Sequence, residues 1–201
     1  MKSLKIEKNK ILIVEGDDEK NLFDSYFKEK KIDDIQIMPI GGKTKFKESL
    51  DLVRKDDNFK IVDIIGIIRD ADENPEAAFN SVQNSIRSCG FTPPTRQLVK
   101  TQSRPMWMIL IVPSINTIGA IEDVCLKSVT DDCAMPIIDQ FFINLKDKGC
   151  ELPDHLNKSK TLCYLSSKKI YTNCVGIAAQ KSIWHFDSPA FDNINELIRL
   201  F

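Results

Sequence analysis

Four short apolar runs, separated by stretches of helical periodicity, constrain this chain more than any other feature. Residues 10–15 (KILIVE), 35–40 (IQIMPI), 61–69 (IVDIIGIIR) and 106–113 (MWMILIVP) are nearly continuous hydrophobic segments of strand length. That is how strands covered on both faces read. After the first run, Leu22, Phe23, Tyr26 and Phe27 recur at helical spacing behind Asp17, Asp18 and Glu19, acids that favour a helix N-terminus. Phe46, Leu50 and Val53 mark a second helix, and Pro75 opens a third that reaches about Cys89 and stops at Gly90. The order βαβαβαβ demands a parallel sheet with helices on both faces, because parallel neighbours need crossover connections. Beyond the fourth run the pattern turns helical at about 118–128, 131–148, 160–168, 173–183 and 190–200. The predicted fold is α/β: a Rossmann-like, mostly parallel sheet of about four strands over 1–116, with a helical extension over 117–201 packed on it as one compact unit.

Composition removes several alternatives. With 201 residues, 42% of them hydrophobic and 28% charged, the chain can bury a core without staples. It contains no run of ~18 apolar residues, which excludes a membrane-spanning helix, and residues 1–10 lack the apolar segment of a secretory signal. A cytoplasmic protein with no membrane partner is expected. The six cysteines form no C-x-x-C pair and read as reduced thiols. The two histidines, His155 and His185, make neither a metal set nor a hydrolase triad in any recognisable nucleophile context.

In an open parallel sheet every strand delivers its C-terminal end to one edge, where ligands bind. Strand one ends in Glu15, with Glu19 one helical turn later; strand two ends in Gly41-Gly42-Lys43; strand three ends in Asp70-x-Asp72. In an extended segment, residues i and i+2 point the same way. Carboxylates converging on one edge repel unless a cation neutralises them, and hard oxygen ligands without His or Cys suit Mg2+ or Mn2+. Such an ion, keeping waters and substrate oxygens, serves phosphate chemistry. The bare amides of Gly41 and Gly42 and the ammonium of Lys43 are candidate phosphate contacts.

V-E-G-x-x-E after the first strand (Val14, Glu15, Gly16, Glu19), Gly-Gly after the second and D-x-D after the third resemble the Toprim domain over roughly residues 10–115. That domain is shared by topoisomerases, bacterial primases, OLD-type nucleases, recombination mediators and ribosomal-RNA maturases. Further on, Gly119–Asp123 and Ala179–Trp184 resemble a small stand-alone bacterial Toprim-related family of unknown function. The resemblance implies that Glu15 acts as general acid/base or metal ligand, supported by Glu19, and that Asp70 and Asp72 hold Mg2+. In the nuclease-type arrangement it makes Glu122, on the helix after the fourth strand, a further metal ligand, with Asp123 a weaker alternative.

Other folds with acids at this edge fit less well. A response-regulator receiver wants one acceptor Asp and a Lys closing a fifth strand; haloacid-type phosphatases carry D-x-D after the first strand. Gly41-Gly42-Lys43-Thr44 lacks the first glycine of a P-loop, whose place falls at Ile37. A topoisomerase needs a separate tyrosine domain and a primase needs modules that this length does not supply. The formal charge of −1 conceals segregation: residues 77–121 hold Arg87, Arg96, Lys100 and Arg104, and residues 155–186 hold Lys158, Lys160, Lys168, Lys169 and Lys181, with no acid in either stretch. Arg96, Lys100, Arg104, Lys168 and Lys169 are candidate contacts to a phosphate backbone, and Lys181 is a candidate stabiliser of transition-state charge. Trp107 and Trp184 are either core residues or base-stacking platforms. The expected activity is metal-dependent cleavage of DNA or RNA. The alternatives are a non-catalytic scaffold for nucleic acid or a partner protein, and a ribonuclease maturing structured RNA; a homodimer is compatible with each.

Overall fold

The computed structural model describes residues 5–42, 45–170 and 172–201. Its sheet has four strands, β1 (Lys10–Val14), β2 (Ile35–Pro39), β3 (Ile64–Asp70) and β4 (Met106–Val112), all parallel in the order β2-β1-β3-β4. Helices α1 (Asp17–Lys30), α2 (Phe46–Lys55) and α3 (Pro75–Ser88) connect them. After β4 come α4 (Ile121–Lys127), α5 (Ala134–Asp147), α6 (Leu156–Ser166), α7 (Val175–Gln180) and α8 (Asp192–Arg199).

The apolar runs divide by alternation. Leu12 and Val14 of β1, with Leu110 and Val112 of β4, face one cluster with Phe23, Tyr26, Phe186, Phe191 and Leu197. Ile11, Ile13, Ile65, Ile67, Ile109 and Ile111 face the opposite cluster with Leu50, Val53, Phe79, Val82 and Ile86. One face therefore carries α1 and side chains from the helices after β4, and the other carries α2 and α3. Right-handed crossovers impose this split, because the chain moves one way from β1 to β2 and the other way from β2 to β3 and β4. The direction changes between β1 and β3, so a crevice opens beyond their C-terminal ends.

Local chemistry sets several boundaries differently from the sequence pattern. Strand three was expected from Ile61, but residues 57–61 form a 3-10 turn capped by Asp56, whose Oδ1 accepts from the Asn58 amide at 2.8 Å. The expected helix from 118 starts at Ile121, because Gly119 and Asp72 exchange two backbone hydrogen bonds of 2.8 Å that hold the preceding residues out of the helix. Helix α7 ends at Gln180, short of the expected 183, with Ser182 in the left-handed region at φ 53. The edges are protected. Beside β4, the Leu98 and Thr101 amides donate to Ile109 and Trp107. On β2, Ile40 N donates inward to Val14 O, so by alternation Pro39 faces outward, where its missing N–H offers no donor to another strand.

Candidate functional site: a carboxylate edge with two cations

Glu15 follows β1 directly and Asp70 closes β3, so the crevice between these strands is flanked by carboxylates. Asp70 Oδ1 accepts from the Ile121 amide at 3.0 Å, which ties the end of β3 to the start of α4 and brings Glu122 beside it. Burial lifts the Asp70 carboxyl well above the ordinary carboxylate range, and the charges of Glu122, Glu19 and Glu15 lift it further. Burial also raises Glu19 and Glu122. Glu19 accepts from the Gly16 amide at 2.9 Å, closing the first turn of α1 from inside the cluster. Four of the five residues expected to hold metal, Glu15, Glu19, Asp70 and Glu122, are thus electrostatic neighbours.

Asp72, the fifth, is placed differently. Its backbone is left-handed at φ 49, so the alternation expected to align it with Asp70 does not carry through. Its Oδ2 lies 3.9 Å from Nη2 of Arg69, and its backbone is bridged to Gly119.

Arg69 was not singled out by sequence reasoning. It is 8% exposed, and its Nη1 lies 3.6 Å from Glu15 Oε2. The signal was present: an arginine one residue before the end of an otherwise apolar, buried strand has to meet an acid. Lys158, at the start of α6, was seen only as one member of a basic stretch, yet its Nζ reaches to 3.8 Å from Glu122 Oε1. Two adjoining cavities open here, of about 300 and 480 Å³, sharing Asp72, Glu73, His155 and Lys158 in their walls. Asp123 borders the smaller one and is occupied locally, accepting from the Ala120 amide at 2.8 Å and from Asn157.

The other candidate contacts lie elsewhere. Gly42 spends its amide on the Glu15 carbonyl at 2.9 Å, which removes it as a bare phosphate donor. Gly41, at φ 80, borders a separate groove along β2, and Lys43 lies outside the described residues. Arg104 donates from Nε to Asp63 at 2.8 Å. Both precede their strands, so they sit at the opposite edge of the sheet, about 20 Å from Asp70 at strand rise per residue. Lys168 is held by Asp132 and lies 4.0 Å from the Tyr164 ring centroid. Arg96, Lys100 and Lys169 are exposed, and Lys181 caps the end of α7 away from Asp18. None of these six cations lines either cavity.

The tryptophans are core. Trp107 is 1% exposed beside Phe91, and Trp184, 2% exposed, stacks on Tyr164 and donates to Val175 O at 2.9 Å. Tryptophan emission of the folded chain is expected to be blue-shifted and unchanged by saturating oligonucleotide; quenching would place an indole at the nucleic-acid surface.

The donor set fits a hard divalent cation. Glu15 Oε2 and Glu122 Oε2 are buried with no hydrogen-bond partner among the described residues, and the crowding around Asp70 is what a cation would relieve. Among the described residues no three His, Cys, Asp or Glu groups are gathered closely enough to form a ready metal cage. Mg2+ does not require one, since it is commonly held by one or two carboxylates and keeps its waters.

Fold and site together define an α/β protein with a carboxylate-rich edge at its topological switch point. The chain belongs to the family DUF3226, described as a protein of unknown function, whose model matches residues 9–201. No curated protein and no solved structure matches it.

Proposed function

We propose that this protein is a divalent-metal-dependent phosphodiesterase cutting nucleic acid at the C-terminal edge of its sheet. The observation that carries this reading is the crowding of the half-buried Asp70 with Glu15, Glu19 and Glu122, with two buried carboxylate oxygens, Glu15 Oε2 and Glu122 Oε2, left without hydrogen-bond partners among the described residues. Leaving such oxygens unmet is costly unless a ligand meets them. Asp70 and Glu122, joined by Glu15 or Glu19, would hold the cation. Bound there, a divalent ion polarises a phosphate and lowers the pKa of a water. Glu15, whose Oε2 faces Arg69, is the group to accept a proton from the attacking water. Lys158 and Arg69 bring positive charge to an edge that otherwise repels phosphate. The Toprim resemblance supports the same reading.

The test is cleavage of plasmid, single-stranded DNA and structured RNA in Mg2+ or Mn2+, beside Glu15→Gln and Asp70→Asn. Cleavage by the natural chain and a loss of about 100-fold or more in each variant is expected. Cleavage that survives both substitutions would place the activity elsewhere. The second reading, a scaffold without chemistry, is favoured by the pairing of Glu15 with Arg69 and of Glu122 with Lys158, which offsets part of the edge's charge without a metal. Its signature is tight, salt-sensitive binding of nucleic acid with no cleavage of any polymer. The metal is tested separately: millimolar Mg2+ is expected to raise the melting temperature by several degrees through binding to the folded state alone, and no rise would count against a metal site.

A further inference from the structure

Arg69 is buried in an unusual way. Its two carboxylate neighbours lie at 3.6 and 3.9 Å, beyond hydrogen-bond length, and its Nε is buried with no acceptor among the described residues. A guanidinium carries five donors in a rigid fork matched to a carboxylate or a phosphate. Burying even its Nε without a hydrogen-bonded partner is costly. Half-engaged ion pairs of this kind recover little of that cost, so the fork is suited to an acceptor that arrives from outside.

The surroundings indicate which acceptor. Arg69 lines the cavity of about 480 Å³ together with Lys158 and His155, the acids Asp72 and Glu73, and the small residues Ala77, Ala78 and Ser81 of α3. That volume suits a nucleotide-sized ligand. Lys158 repeats the arrangement of Arg69, with its Nζ 3.8 Å from Glu122 and its side chain half exposed to the cleft. Both cations thus line the same cleft and lie within 4 Å of an acid of the carboxylate edge.

We propose that this cleft is a phosphate subsite. Arg69 and Lys158 bind the phosphate once a divalent cation has neutralised the carboxylates they otherwise face. The exchange step rests on the metal reading above; the subsite itself rests on the cleft and its two cations. Without metal, the cations are partly spent on Glu15, Asp72 and Glu122, and the acids repel an incoming anion. With metal, Glu15 and Glu122 are occupied and both cations turn to phosphate. No bond is made or broken, so the device couples metal and substrate binding through charge alone.

The experiment is calorimetric titration of the 201-residue chain with inorganic phosphate, in EDTA and in saturating Mg2+, for the natural sequence, Arg69→Gln, Arg69→Lys and Lys158→Gln. Mg2+ is expected to tighten phosphate binding at least tenfold. Arg69→Gln should lose about tenfold, Arg69→Lys should recover part of it because an ammonium cannot bind bidentately, and Lys158→Gln should lose about threefold. Circular dichroism reports whether each variant is folded. If Arg69→Gln does not fold, unchanged affinity in both Arg69→Lys and Lys158→Gln overturns the proposal. So does the absence of phosphate binding by the natural chain in Mg2+, or native-like affinity in folded Arg69→Gln. Thymidine 5′-phosphate and the dinucleotide TpT distinguish the source: an Arg69-dependent preference for TpT assigns the subsite to a backbone diester, and the reverse assigns it to a strand end. Arg69-dependent phosphate binding without cleavage of any polymer keeps the subsite and removes the nuclease reading. Cleavage by Arg69→Gln with unaltered KM does the opposite.

Discussion

Asp70→Asn is expected to melt at a higher temperature than the natural chain in EDTA, and to lose the response to magnesium. The substitution is nearly isosteric, and an amide oxygen can still accept from Ile121 N, the bond that joins β3 to α4. What it removes is a negative charge that burial and the charges of Glu122, Glu19 and Glu15 all oppose. Each pH unit by which a carboxyl is raised on folding subtracts about 1.4 kcal/mol of stability at neutral pH. In a chain of this length 1 kcal/mol is about 2–4 °C, so a rise of that order in EDTA is readily measured by thermal unfolding.

The pH dependence follows with a definite sign. Asp70, Glu19 and Glu122 all bind protons more tightly when folded. Their favourable contribution is complete below the unfolded carboxylate pKa and is lost as pH rises through the raised folded values. Melting temperature in EDTA should therefore fall from mildly acidic to neutral pH. The fall should be shallower in Asp70→Asn and largely suppressed by Mg2+ in the natural chain. An Asp70→Asn variant no more stable than the natural chain in EDTA would show that the carboxylate is not crowded as described.

Gly176→Ala is the second substitution with a large expected effect, and its sign cannot be read from helix propensity. Propensity alone makes alanine better than glycine inside a helix by about 1 kcal/mol. Here a β-carbon would stand 2.4 Å from the Asp18 carbonyl oxygen and 2.6 Å from Asn21 Cβ. The first of these is backbone and cannot swing aside. Asp18 also accepts from the Val175 and Gly176 amides at 3.1 and 2.7 Å, so forcing α7 away from α1 breaks both bonds. Overpacking of this kind costs about 1–3 kcal/mol, and the lost hydrogen bonds to a charged group add to it. A net fall of several degrees in melting temperature is expected. Because Asp18 and Glu19 share the first turn of α1, weaker Mg2+ binding should accompany it. A variant within a degree of the natural chain would mean that α7 can move away from α1 at little cost.

These two positions illustrate how unevenly the site was legible. Glu15, Glu19 and Asp70 could be located because a strand end is a local event: an apolar run stops, and parallel topology carries each stop to the same edge. Glu122 required the resemblance, since nothing near it announces that Asp70 would cap its helix. Asp18 looked like one more acid in a first turn, whereas it caps a helix 157 residues away. The basic residues misled most. Arg104 and Lys168 belong to acid-free stretches, but each meets an aspartate from a distant part of the chain, Asp63 and Asp132. Charge segregation along a sequence does not survive folding that brings distant segments together.

The sequence by itself determined the parallel sheet, its strand ends and the gathering of acids at one edge, because periodicity and strand termination depend on neighbours in the chain. Only the tertiary structure decided which cations stand beside those acids. Arg69 enters because its strand lies next to β1, and Lys158 because α6 is packed near α4; both placements follow from the burial of apolar faces elsewhere. Such contacts are a by-product of packing distant surfaces, so no local pattern encodes them.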